Sequence, residues 1–122
     1  MEIAIPSKDQ TKDAQSDPRF GRCKYFVIVD TETENVRAIP NAGEKAGEGA
    51  GIQAARALAN EGVKAVIGSN FGPNAFMTLK YAGIKVYSGE GTVSHLVEQF
   101  KKGELQEMEG SNVPKKAGQF AR

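Results

Sequence analysis

Apolar positions along the chain keep two rhythms. Near the N-terminus they alternate or run together. Residues 2–5 (Glu-Ile-Ala-Ile) predict a short first strand ending at Pro6, which has no N–H to continue a ladder. Residues 25–30 (Tyr-Phe-Val-Ile-Val-Asp) predict a buried second strand, and residues 36–39 a third that forms a hairpin with it across the polar turn at 31–35. From Ile52 onward the period becomes about 3.6. Ile52, Ala55, Leu58 and Ala59 make the stripe of a first helix that stops at Gly62, where a left-handed C-terminal residue is favoured. Residues 63–67 predict a fourth strand. Pro73 suits a first helical position, Phe76 and Leu79 continue a second stripe, and Gly83 closes it. Residues 84–87 predict a fifth strand. Thr92 is placed to cap a third helix whose face is Val93, Leu96, Val97 and Phe100, ending at Gly103.

Strand direction follows from these connections. Strands joined through a helix are normally parallel, so the third, fourth and fifth point one way, while the hairpin sends the second the other way. With the first strand antiparallel to the second, the sheet is mixed, with five strands of which one is antiparallel, and helices cover it. The expected domain is a single unit over residues 1–108, followed by a flexible polar tail over 109–122. The polar stretch 7–22 has no apolar period, and a loop of that length in a compact domain is usually functional or mobile.

This topology brings several loops to one edge. Strands one, three, four and five end there and strand two begins there. Three glycine turns open into helices at the same edge: Gly47-Glu48-Gly49-Ala50-Gly51, Gly72-Pro73 and Gly89-Glu90-Gly91. A helix start exposes unpaired N–H groups and glycine lets a guest approach them, so three openings together predict an anion-binding rim. Candidate binding residues are Arg19, Arg22, Cys23, Asn41, Gly49, Gly51, Ser69, Asn70, Gly72 and Asn74, with Lys24 adding charge. No carboxylate dyad or Ser-His arrangement can be assembled there, so no catalytic residue is assigned and the chain is read as a non-enzyme.

Composition narrows the guest. Lys and Arg number 16 against 15 Asp and Glu, a formal charge of +1, which lacks the strong basic field of a general nucleic-acid binder. Apolar runs are only a few residues long, so no membrane span is predicted, and a soluble cytoplasmic protein is expected. Cys23 is the one cysteine and His95 the one histidine, which excludes an internal disulfide and a zinc site of clustered cysteines. Between Arg22 and Lys24 the Cys23 thiol is expected to have a lowered pKa, which makes it the candidate thiolate ligand to iron. A small apolar residue at a strand start is the reading weighed ahead of that, because one thiolate falls short of an ordinary four-cysteine cluster site. Residues 49–54 formally fit a dinucleotide fingerprint, but a long loop precedes them, and their glycines are read as a tight helix entry.

Three segments taken together resemble the dinitrogenase iron-molybdenum cofactor biosynthesis family, which contains NifX-type proteins and the C-terminal domain of NifB-type proteins. They are residues 20–30 (Phe-Gly-Arg-Cys-Lys-Tyr-Phe-Val-Ile-Val-Asp), 49–55 (Gly-Ala-Gly-Ile-Gln-Ala-Ala) and 72–76 (Gly-Pro-Asn-Ala-Phe). Gly91-Thr92-Val93 and Gly103-Glu104-Leu105 extend the match. The resemblance implies a three-layer α/β/α domain with a ribonuclease-H-like motif. It also implies a non-enzymatic carrier of an iron-sulfur or iron-molybdenum cofactor precursor, working with a protein partner in cofactor assembly. The family's Phe-Gly-Arg turn is commonly preceded by histidine, where this chain has Arg19. That exchange supports an alternative, an adaptor or regulatory module of the same fold that no longer binds a metallocluster. A nuclease ranks last, because the first strand has no carboxylate at its centre.

Overall fold

The computed structural model describes residues 1–111 and 113–114. Its strands are β1 (Glu2–Ser7), β2 (Tyr25–Asp30), β3 (Val36–Pro40), β4 (Ala65–Gly68), β5 (Lys85–Ser88), β6 (Gln106–Gly110) and the two-residue β7 (Val113–Pro114). Three helices interleave with them: α1 (Ala50–Asn60), α2 (Pro73–Tyr81) and α3 (Val93–Lys101). The sheet order is β3-β2-β1-β4-β5-β6-β7. β1 is parallel to β4 and β4 to β5, whereas β2 is antiparallel to both β1 and β3.

Period-two burial explains the layers. Ala4, Phe26, Ile28, Val66 and Val86 face α1 and α2, where they meet Ala54, Ala55, Leu58, Ala75, Phe76 and Leu79. On the opposite face Ile3, Ile5, Val27, Val29, Ala65 and Ile67 meet Val93, Leu96 and Val97 of α3. Each fully buried aliphatic side chain contributes about 1.5–3 kcal/mol, so both faces contribute to stability. The helices end alike. Gly62, Gly83 and Gly103 take φ of 79°, 78° and 71°, and the next residue in each case donates its N–H back into the last turn, from Val63 to Leu58, Ile84 to Leu79 and Glu104 to Gln99.

The expected five-stranded sheet is too small. β6 adds a sixth strand, and it runs antiparallel to β5, so the mixed sheet holds a second reversed strand before the short β7. Gln106-Glu107-Met108-Glu109-Gly110 carries one apolar residue, Met108, which packs against the α1–α2 face. The expected boundary after residue 108 therefore falls inside a strand, and the rest of the expected tail, residues 115–122, lies outside the described residues. β1 also continues through Pro6, which pairs in register with Phe26. The ladder to β4 has ended at Ala4, so the missing N–H interrupts nothing on that side.

The stretch between β1 and β2 is hydrogen-bonded to itself and to the end of β1. Lys8 N–H donates to the Gln15 carbonyl at 3.1 Å, and Asp17 N–H to that of Pro6 at 2.8 Å. Phe20 plugs the loop into the core, its ring 5.3 Å from Phe26 and 5.0 Å from Phe71.

Candidate functional site

All three glycine openings lie at the predicted sheet edge, but only two form a common cavity. α1 begins at Gly49, whose φ of 69° turns the chain into the helix without a side-chain cap. α2 begins at Gly72 and Pro73, again without one, and neither first turn holds an acidic residue. The first intrahelical bonds are donated by Gln53 and Phe76, so the N–H groups of Ala50, Gly51, Ile52, Asn74 and Ala75 precede them. Pro73 contributes none.

Missing side chains make this convergence possible. A Cβ on Gly51 would lie 2.8 Å from that of Ala75, and one on Gly21 would lie 2.8 Å from the Gly51 nitrogen. Glycine at both places lets the Phe20-Gly21-Arg22 turn, the α1 start and the α2 start stack in contact. Between them is an open cavity of about 330 Å³, lined by Gly21, Arg22, Gly49, Ala50, Gly51, Ile52, Gly72, Pro73, Asn74 and Ala75. Two positive helix ends and no carboxylate from their first turns make it a place for an anion.

The third opening is closed from within. Thr92 Oγ1 accepts the His95 N–H at 3.2 Å, Val93 N–H donates to the Ala14 carbonyl and Ser94 N–H to that of Lys12. Gly91 exchanges two hydrogen bonds with Ser16. The loop between β1 and β2 thus occupies the α3 start, which also lies on the opposite face of the sheet.

Five of the expected binding residues line the cavity: Arg22, Gly49, Gly51, Gly72 and Asn74. The others sit elsewhere. Arg19 forks onto Asp17, with Nε–Oδ1 at 3.2 Å and Nη2–Oδ2 at 3.0 Å. Burial would raise the Asp17 carboxyl, but the hydrogen bonds and charge of Arg19 outweigh it and hold that group below the ordinary aspartate value. Asn41 is buried, donating to the Gly21 and Cys23 carbonyls at 3.1 and 2.9 Å and accepting the Gly43 N–H at 2.9 Å, so it organises backbone. Ser69 and Asn70 stand at the end of β4 beyond the lining.

Cys23 departs most from expectation. The residue is wholly buried, its sulfur donates to the Phe20 carbonyl at 3.4 Å, and burial, reinforced by Asp17, pushes the thiol up to about 12. The lowering expected from Arg22 and Lys24 fails because both neighbours are exposed while Cys23 packs into the α1–α2 core. Among the described residues no group of three or more His, Cys, Asp or Glu side chains is arranged to hold a metal ion. Gly21, Ala50, Ile52, Pro73 and Ala75 also line the cavity and are not among the expected binding residues. The available signal was the smallness of Gly21 and Ala75 beside helix starts.

Among the described residues no helix is long and apolar enough to cross a membrane. The sequence pattern of the dinitrogenase iron-molybdenum cofactor family matches residues 1–103. An uncharacterised protein of Methanocaldococcus jannaschii is 34% identical over 113 residues, covering 89% of this chain and 92% of that protein. The apo form of the orange protein from Desulfovibrio gigas superposes with a TM-score of 0.88 at 37% identity, over 91% of this chain and 95% of that one. A Thermotoga protein described as a candidate NifB protein of the DUF35 family superposes at a TM-score of 0.76 with 41% identity, over 87% of this chain and 91% of that one.

Proposed function

The chain belongs to the dinitrogenase iron-molybdenum cofactor family, and from that premise we propose that it is a small non-enzymatic carrier, holding an anionic iron-sulfur or iron-molybdenum cofactor precursor in the cavity between the α1 and α2 starts. The observation that carries this reading is the Gly21–Gly51–Ala75 stack, which brings two uncapped helix ends into one cavity. The order β3-β2-β1-β4-β5 with β2 reversed supports a ribonuclease-H-like motif. The carboxylate-free centre of β1 argues against nuclease chemistry on it.

The donor set governs how the cargo is held. Helix-start N–H groups and one cationic residue, Arg22, line the cavity, and the thiol that would coordinate iron is buried and protonated at neutral pH. The cluster is therefore gripped through its charge and its outer atoms, and it arrives and leaves intact with no ligand exchange at a metal. Relatives support a carrier: the Desulfovibrio gigas orange protein has a described apo form.

The test is anaerobic titration with a preformed dianionic four-iron cluster capped by small exogenous thiolates. Uptake is expected to give a visible charge-transfer band on the protein, to weaken as ionic strength rises, and to survive Cys23→Ala. A protein that stays colourless at every concentration overturns the carrier reading. Loss of the band in Cys23→Ala alone would return the thiol to the ligand set.

A further inference from the structure

Arg22 lines the cavity, yet its guanidinium is engaged on the other side. Nη1 donates to the Glu44 carbonyl at 3.2 Å and to that of Ala46, and Nη2 donates to that of Gly47 at 3.4 Å. These carbonyls belong to the connection between β3 and α1. Its base is fixed: Asn41 is buried with its amide saturated, and a Cβ on Gly43 would clash at 2.3 Å with the Ala50 carbonyl. Its outer span is different in kind. Lys45, Gly47, Glu48 and Gly49 are exposed, Gly49 holds a left-handed φ, and the Arg22 fork is the tie that crosses from this span to the Phe20-Gly21-Arg22 turn.

A guanidinium on neutral carbonyls has only charge–dipole hydrogen bonds, whereas on an anion it adds charge–charge attraction and a bidentate grip. An anion in the cavity and the three carbonyls therefore compete for the same side chain. Building on the carrier reading, we propose that Arg22 is a load-sensitive latch: it pins the segment around Lys45 in the empty protein and transfers to the anionic cargo when the cavity fills, releasing that segment. The loaded and empty forms then differ at an exposed surface loop, which is where a receiving protein could tell them apart. Gly49, exposed and left-handed, ends the released span, and Asn41 and Gly43 stay fixed at its base, so residues 44–48 are the part that moves.

Trypsin cleavage after Lys45, followed by the mass of the fragment, reports the latch directly. In the empty protein, Arg22→Met is expected to raise that cleavage about tenfold, since hydrogen bonds from a charged donor are worth roughly that factor or more. Loading the wild-type protein with the thiolate-capped four-iron cluster is expected to raise it similarly, and loading Arg22→Met to add nothing. Cluster uptake with unchanged cleavage overturns the latch and leaves the carrier reading standing. Absence of uptake overturns the carrier reading and the transfer with it, and unchanged cleavage in empty Arg22→Met removes the pinning itself. Arg22→Lys separates positioning from charge, because a single ammonium cannot span three carbonyls and is expected to behave like the Met variant in cleavage.

Discussion

α3 and the pair α1 and α2 begin with the same device, a glycine turn at one edge of the sheet, and meet opposite fates. The α3 start is filled by its own chain, through Thr92, the carbonyls of Lys12 and Ala14, and Ser16. The α1 and α2 starts have no side-chain cap and share a cavity. Exposed helix donors are thus not sufficient to mark a site. What separates scaffold from site is whether the fold supplies its own acceptors.

The contrast breaks most visibly at Gly51. Gly51→Val drives a side chain into Ala75, and the expected outcome is a loss of about 1–3 kcal/mol in urea unfolding, the usual cost of overpacking, together with loss of cluster uptake. Retained uptake would show that contact between the two starts is unnecessary. Thr92→Ala sharpens the contrast from the other side. Removing this cap should cost about 1 kcal/mol of stability while leaving uptake unchanged, as measured by unfolding and titration of the same preparation. If uptake falls too, the sealed start belongs to the site after all.

Arg19→Gln gives the smallest effect on uptake, within about twofold, because this guanidinium is committed to Asp17 and stands outside the cavity. Its signature is in acid. A carboxyl held below its ordinary value stabilises the fold above that value and loses this contribution as pH falls through the lowered one. Without Arg19 the lowering is lost, so acid unfolding monitored by circular dichroism should begin at higher pH in the variant. An unchanged acid limb would show that the pair has no linkage to folding.

The helices, their glycine ends and the convergence of loops were legible because each rests on local chemistry: apolar period, left-handed glycine and chain direction. β6 was not legible, since an edge strand buried mainly through Met108 carries no alternating pattern strong enough to outvote its charges. The sealing of α3 depends on where the carbonyls of Lys12 and Ala14 fall, and every residue has a carbonyl, so composition holds no trace of it. Cys23 misled for a related reason. The turn before β2 leaves Arg22 and Lys24 in water while the thiol between them goes inward, so neighbours in sequence do not share its surroundings.

The contact between Gly51 and Ala75 has a magnetic analogue. α1 and α2 run side by side in the same direction, so two like poles, each equivalent to roughly half a positive charge, are pressed together at one end. The empty protein bears that repulsion, and an anion seated between the poles removes it. On the proposed carrier reading, cargo would act as a keystone as well as a passenger, and the unloaded fold would be the less settled of the two.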